Sequence, residues 1–225
     1  MRERAATVPQ VLDHPAVEVD GLYVSYGSTP VLVDVALRVP PGTGVCVTGE
    51  NGIGKSTLLR CVSSLQRPDA GTIKIFGSPA GSTPEFWRQV VTTADPPTWY
   101  AGLTAREHAE LVCRAHGQTP EDAGVDDALA SLGLAGHADA IPPSLSSGQK
   151  QRLTLALALL RPSSLLILDE PEQRLDPEGR ATVAGMLDDY VAGGGSLLMA
   201  SHDDAFAVAS GAAITTMESL TAGAS

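Results

Sequence analysis

The chain has 225 residues, enough for one large domain or two small ones, and a 43% hydrophobic share that excludes intrinsic disorder. Its 15 Lys and Arg stand against 26 Asp and Glu, a formal net charge of -11 with no dense basic run, which argues against DNA or RNA as a partner. Three isolated cysteines without a CxxC pair argue against a disulfide scaffold or a zinc site, and no run approaches the roughly 18 apolar residues that span a bilayer.

Residues 1–16 carry charge and Pro without periodicity or a signal-peptide core, and read as a flexible tail. Residues 17–225 read as one α/β domain. Val17, Val19, Leu22, Val24 and Tyr26 predict a strand, and Val31 to Val39 a second one before the turn Pro40-Pro41-Gly42. Val45 to Thr48 is a short buried strand, and a helix is predicted from Lys55 to Leu65. Asp69-Ala70-Gly71 reads as a turn, and Thr72 to Phe76 as another strand. Between Pro96 and Ser144 no strand pattern emerges. Thr104 to Ala115 predicts a helix, with Thr104 and Glu107 spaced as a capping box, and Asp126 to Leu132 another. With the helical stretch Gly148 to Leu160, these form a helical subdomain inserted over 96–160. Leu165 to Leu168 is a strand, Arg180 to Val191 a helix, and Ser196 to Ala200 a strand; the Ala-rich segment after His202 has only weak patterning.

Gly49-Glu50-Asn51-Gly52-Ile53-Gly54-Lys55-Ser56-Thr57 fits GxxxxGK(S/T) between a short strand and a helix. Glycines let the backbone turn its N–H groups around phosphate oxygens, and the helix N-terminus adds its dipole. Lys55 can set its ammonium against terminal phosphates, Ser56 can offer a hydroxyl to Mg²⁺, and Thr57 can help hold phosphate. The bland alternative is a Gly-rich turn before an ordinary helix. Asp169 and Glu170 follow four apolar residues. Alone they read as a solvated strand end. Beside a phosphate loop, the first can hold Mg²⁺ and the second can orient or deprotonate water.

Leu145-Ser146-Ser147-Gly148-Gln149 followed by Lys150-Gln151-Arg152 reads locally as an N-capped helix. Together with the phosphate loop and the acidic strand end downstream, it resembles the nucleotide-binding domain of ABC transporters, over nearly the whole chain from Val17. The resemblance implies a P-loop NTPase core with mixed sheet, an N-terminal antiparallel β subdomain and an inserted helical subdomain. It implies ATP and Mg²⁺ as ligands. It also implies two such domains packed head to tail, as homodimer or paired heterodimer, with ATP between one phosphate loop and the other's Ser146, Gly148 and Gln149.

By the same resemblance Tyr26 is the adenine-stacking aromatic, with a core tyrosine as alternative. His202 is the switch histidine that senses the γ-phosphate, the alternative being a capping or surface histidine; Asp176 communicates between paired sites or serves a plain turn. Asp95 occupies the place of the family's Mg²⁺-binding Gln, where Asp keeps an oxygen ligand but loses the amide donor and some reach. Two further departures are Ser147 at a usual Gly position and the charged run Glu172-Gln173-Arg174, where smaller residues are common. The implied activity is Mg²⁺-dependent hydrolysis of ATP to ADP and phosphate, coupled to a transmembrane permease. The implied location is cytoplasmic, on the inner face of the cell membrane through that permease. A soluble assembly or regulatory ATPase, in which ATP binding gates protein association, is the competing reading.

Overall fold

The computed structural model describes residues 14–81, 83–94 and 97–222. Most of the predicted tail and the position of Asp95 lie outside the described residues. The described strands fall into two separate sheets. One is antiparallel, in the order β2-β1-β4-β5, from β1 (Val17–Tyr26), β2 (Thr29–Val39), β4 (Ala70–Ile75) and β5 (Ser78–Pro79). The other is parallel, in the order β6-β7-β8-β3-β9, from β3 (Gly44–Thr48), β6 (Val90–Thr92), β7 (Leu165–Asp169), β8 (Ser196–Ala200) and β9 (Ala212–Thr216).

The antiparallel strands bury one face each, so their apolar residues alternate. In β1 the buried set is Val17, Val19, Leu22 and Val24, which changes parity at Asp20 and Gly21. A register shift between Val19 and Leu22 absorbs the extra residue, and Gly21 takes a positive φ of 58° there. The parallel strands are covered on both faces and read as continuous apolar runs. Along β7, Leu166 and Leu168 enter one core, with Leu153, Leu155, Val183 and Leu187 of the helices α6 (Ser147–Leu160) and α7 (Pro177–Ala192). Leu165 and Ile167 enter the other, with Leu58, Leu59 and Val62 of α1 (Lys55–Val62) and the inner face of the antiparallel sheet. The parallel sheet is thus the middle layer, and its strand ends emerge together between the two cores.

The helical part is built from α3 (Ala105–Ala115), α4 (Pro120–Ala123), α5 (Val125–Ser131) and α6. The predicted capping box is present: Glu107 N–H donates to Thr104 Oγ1 at 3.2 Å, and Thr104 N–H to Glu107 Oε2 at 2.7 Å. His108 is a core histidine, taking the Tyr100 N–H on Nε2 at 3.0 Å while Nδ1 lies 2.7 Å from Thr104 O. Among the described residues, no helix is long and apolar enough to cross a membrane.

Several elements differ from expectation. The helix predicted to Leu65 stops at Val62, because Ser64 turns left-handed (φ 57°) and Leu65 N–H reaches back to Arg60 O at 2.9 Å. The turn expected at 69–71 contains the first two residues of β4, drawn into the ladder by pairing with β1. α2 (Pro84–Gln89), capped by Thr83, and strand β6 were not visible in the pattern. Nor were α8 (Asp204–Ala209), β9 and α9 (Met217–Ala222) in the Ala-rich end. Their cues are short, and β9 exists because β3 offers it a parallel edge.

The close approach of β1 and β4 rests on Gly71, at φ 92°, where an added Cβ would sit 2.4 Å from Gly21 O. Gly71→Ala is expected to lower stability by about 2 kcal/mol or more, read from the urea midpoint. A midpoint equal to wild type would mean that the strands do not meet this closely.

Candidate functional site

The loop between β3 and α1 carries the phosphate-binding pattern. Gly54 adopts φ 112°, and a Cβ there would lie 2.8 Å from Leu32 Cδ2, so both conformation and space require glycine. Gly49 and Gly52 also have positive φ, while Asn51 is exposed at the loop tip. The first turn of α1 has no side-chain cap, leaving its backbone N–H groups for a ligand. Lys55 is only 5% exposed, and its ammonium donates to Gly49 O at 2.8 Å and Glu50 O at 3.0 Å. Thr57 is buried and Ser56 is exposed beside it.

Parallel pairing brings the acidic strand end to this loop. Asp169 is opposite Ala200, and Ala200 is opposite Val47, so β7, β8 and β3 end at one level. Asp169 N–H donates to Thr93 Oγ1 at 3.3 Å. Its side chain is bonded by the Ser56 hydroxyl, yet Oδ1 is buried without a partner. Burial pushes the Asp169 carboxyl above its ordinary range; the Ser56 bond offsets part of this and the Glu170 charge adds to it. Glu170 then turns left-handed (φ 47°), while its N–H donates to Ala200 O at 2.9 Å. Two residues beyond Ala200, His202 sets its Nε2 2.5 Å from Glu170 Oε1. This contact needs a proton between the two atoms, carried by the imidazole nitrogen. Ser56, Asp169, Glu170, Thr93, Gln151 and Arg174 line an open cavity of about 370 Å³.

The segment Ser146–Gln149 begins α6 as a capping box. Gln149 N–H donates to Ser146 Oγ at 3.2 Å, and Ser146 N–H to Gln149 Oε1 at 2.8 Å. The Gln149 amide nitrogen also lies 2.8 Å from His137 Nε2. Gly148 faces the loop after the acidic pair: a Cβ there would lie 2.7 Å from Arg174 O. Its small size is therefore required by the chain's own backbone. Asp176 caps α7 by accepting from Gly179 N–H at 3.2 Å, and it pairs with Arg152 of α6. Tyr26 is 55% exposed at the end of β1, its hydroxyl donating to Gln66 Oε1 at 2.9 Å. The structure gathers Lys55, Ser56, Asp169, Glu170 and His202 into one site, and sets Tyr26 and the Ser146–Gln149 cap on separate exposed edges.

In the sequence Glu172 is only one charge of an unusual run. It is buried, and its Oε1 accepts from the Ser201 hydroxyl at 2.5 Å and from His202 N–H at 3.3 Å. Thr93 was missed altogether, because a lone threonine after a three-residue strand carries no signal.

A family model described as "ABC transporter" matches residues 32–173. The chain belongs to the ABC transporter family. It is 36% identical over 185 residues to the cytochrome c biogenesis ATP-binding export protein CcmA of Xylella fastidiosa, covering 82% of each chain. It is 34% identical over 204 residues to the aliphatic sulfonates import ATP-binding protein SsuB 2 of Agrobacterium fabrum, covering 90% of this chain and 76% of that one. A solved structure titled "Structure of ATP binding subunit of ABC transporter" superposes with a TM-score of 0.80 at 29% identity, covering 89% of this chain and 85% of the other. The mixed α/β architecture is that of an ABC ATPase core.

An ABC ATPase uses ATP with Mg²⁺, and the donors here fit that ion. Ser56 and Asp169 are hard oxygen ligands, and Asp169 Oδ1 is a buried acceptor without a partner. Among the described residues no group of three or more His, Cys, Asp or Glu could hold a metal ion.

Because folding raises the Asp169 pKa, its contribution to stability is best below the ordinary carboxylate range and is lost as pH rises through the raised value. Burial of its ionised form opposes folding. Asp169→Asn is therefore expected to raise the nucleotide-free melting temperature, by about 2–4 °C if the change is near 1 kcal/mol. An equal or lower melting temperature would contradict a destabilising buried charge.

Proposed function

We propose that the chain is the Mg²⁺-dependent ATPase subunit of a transporter, converting ATP and water to ADP and phosphate. The observation that carries this reading is the 2.5 Å contact between Glu170 and His202 beside the Ser56–Asp169 pair. A carboxylate and an imidazole side by side, next to a cavity that Ser56 and Asp169 also line, support a reading in which a terminal phosphate is bound and attacked there.

The loop N–H groups of Gly49, Asn51, Gly52 and Gly54, with the open end of α1, hold the phosphates. Lys55 exchanges its loop carbonyls for phosphate oxygens, and Thr57 supports the same turn. Ser56 and Asp169, with Asp95 as a further oxygen ligand, would hold Mg²⁺, which would supply positive charge against that developing on the phosphates. Glu170 accepts a hydrogen bond from the attacking water and orients it, and His202, releasing its contact with Glu170, donates from Nε2 toward the γ-phosphate. Tyr26 presents its exposed ring to adenine, held by Gln66.

Catalysis needs a second nucleotide-binding domain, identical or paired. Its Ser146, Gly148 and Gln149 would approach the γ-phosphate, with Asp176 at the seam between the domains. ATP-driven closure is passed to a transmembrane permease, which sets the substrate and holds this subunit at the cytoplasmic face of the membrane. One relative is named as an export protein and another as an import protein, so the family alone does not set the direction.

Glu170→Gln is expected to leave ATP affinity nearly unchanged and to lower turnover by about 10²- to 10⁴-fold in the complex with the permease. Equilibrium binding and phosphate release check the two halves. Unchanged turnover would remove Glu170 from the catalytic role, and absent ATP binding would remove the reading itself. ATP binding without association with any membrane protein would point to a soluble assembly ATPase.

A further inference from the structure

The roles given to Glu170 and His202 leave the most deeply buried acid near them unused. Glu172 is 4% exposed. Its Oε1 takes the Ser201 hydroxyl at 2.5 Å and the His202 N–H at 3.3 Å, and Ser201 Oγ in turn accepts from Asp203 N–H at 2.9 Å. Its Oε2 is buried without a partner. The thiol of Cys46 is pushed up to about 12 by burial, with the charges of Glu172 and Asp204 adding to the rise. A buried carboxylate with one unpartnered oxygen is costly, and an apolar side chain of similar volume fills such a place more stably. Its other oxygen, by contrast, is engaged twice.

What it holds is the turn that presents His202. Glu170 and Glu172 leave the same strand end, and both reach the segment after β8. Glu170 bonds the His202 imidazole, while Glu172 bonds the His202 backbone and the preceding hydroxyl. The loop that carries Glu172 is itself fixed: Gln173 N–H donates to Glu170 O at 3.1 Å, Leu175 N–H to Glu172 O at 3.3 Å, and the Gln151 amide to Pro171 O at 3.3 Å. With its base so held, the carboxylate sets the height and direction of the turn at residues 201–203.

We propose that Glu172 is a positioning residue for hydrolysis, acting by hydrogen-bond acceptance at Oε1 to hold the His202 turn against Glu170. The assignment rests on the ATPase reading above. It requires an acceptor at this place, and the negative charge is secondary.

The test uses the full chain with its permease and compares Glu172→Ala, Glu172→Gln and Ser201→Ala, alone and combined with His202→Ala. Single-turnover measurements resolve the slow variants. Glu172→Ala is expected to lower kcat about tenfold or more while KM for ATP stays within about twofold. Glu172→Gln keeps an acceptor oxygen and is expected to recover kcat to within about threefold of wild type. In the His202→Ala background, Glu172→Ala is expected to have no further effect on the rate. Wild-type kcat in Glu172→Ala overturns the proposal, as does a loss of the same factor with and without His202. Equal impairment of the Gln and Ala variants also overturns it, because charge and not acceptance would then matter. If Glu172→Ala does not fold, Ser201→Ala decides: a several-fold fall in kcat that disappears without His202 supports the assignment, and unchanged kcat overturns it. Absence of ATP turnover in the wild-type complex would instead remove the ATPase reading on which the assignment stands.

Discussion

Parallel pairing of β3, β8 and β7 fixes where the chemistry sits. Ala200 pairs with Val47 on one side and Asp169 on the other. Three strands therefore end at one level, and three loops leave together: the phosphate loop, the acidic turn and the histidine turn. Because side chains alternate along a strand, a slip of one residue would exchange the faces of β7 and send its apolar residues into the wrong cores. The two cores, fed separately by Leu166 with Leu168 and by Leu165 with Ile167, hold that register. Ligand sites in α/β sheets lie beyond the carboxyl ends of the strands, and this one follows that rule.

An acidic chain that binds a polyanion needs local means to do so. Under the proposed reading the attraction comes from backbone N–H groups at the start of α1 and from Lys55, buried but tied to its own loop carbonyls. Acids stand at the site in graded states of burial. Asp169 is partly buried with one free oxygen, Glu170 is bonded to an imidazole, and Glu172 is buried against a serine hydroxyl. These environments suit Asp169 to binding a cation, Glu170 to orienting water and Glu172 to holding a turn.

The helical side of the molecule is tied to the same turn. Gly148 packs under Arg174 O, Arg152 pairs with Asp176, and Gln151 bonds Pro171 O. The start of α6 and the loop after Glu170 are thus joined by several contacts within a single chain. These links all fall between Pro171 and Asp176 on the loop side.

The sequence by itself determined which residue patterns could carry the proposed chemistry. The spacing of Gly49 to Thr57, the pair Asp169-Glu170 and the stretch Ser146 to Gln149 are local patterns, set by what a phosphate loop, a strand end and a helix cap each require. The main strands and the longer helices α3, α6 and α7 were legible because their apolar periods lie in contiguous residues. β6, β9 and α8 were not, since each is short and exists through pairing or packing supplied by distant parts of the chain. The same reason hid Glu172, which reads as one more surface charge until β7 and β8 pair and close Ser201 over it. Tertiary structure alone decided that Glu170 meets His202, that Gly148 is small to admit Arg174 O, and that one acid of the charged run turns inward. These are contacts between residues far apart in the chain, and their distances are fixed by strand register and core packing, which no local pattern contains.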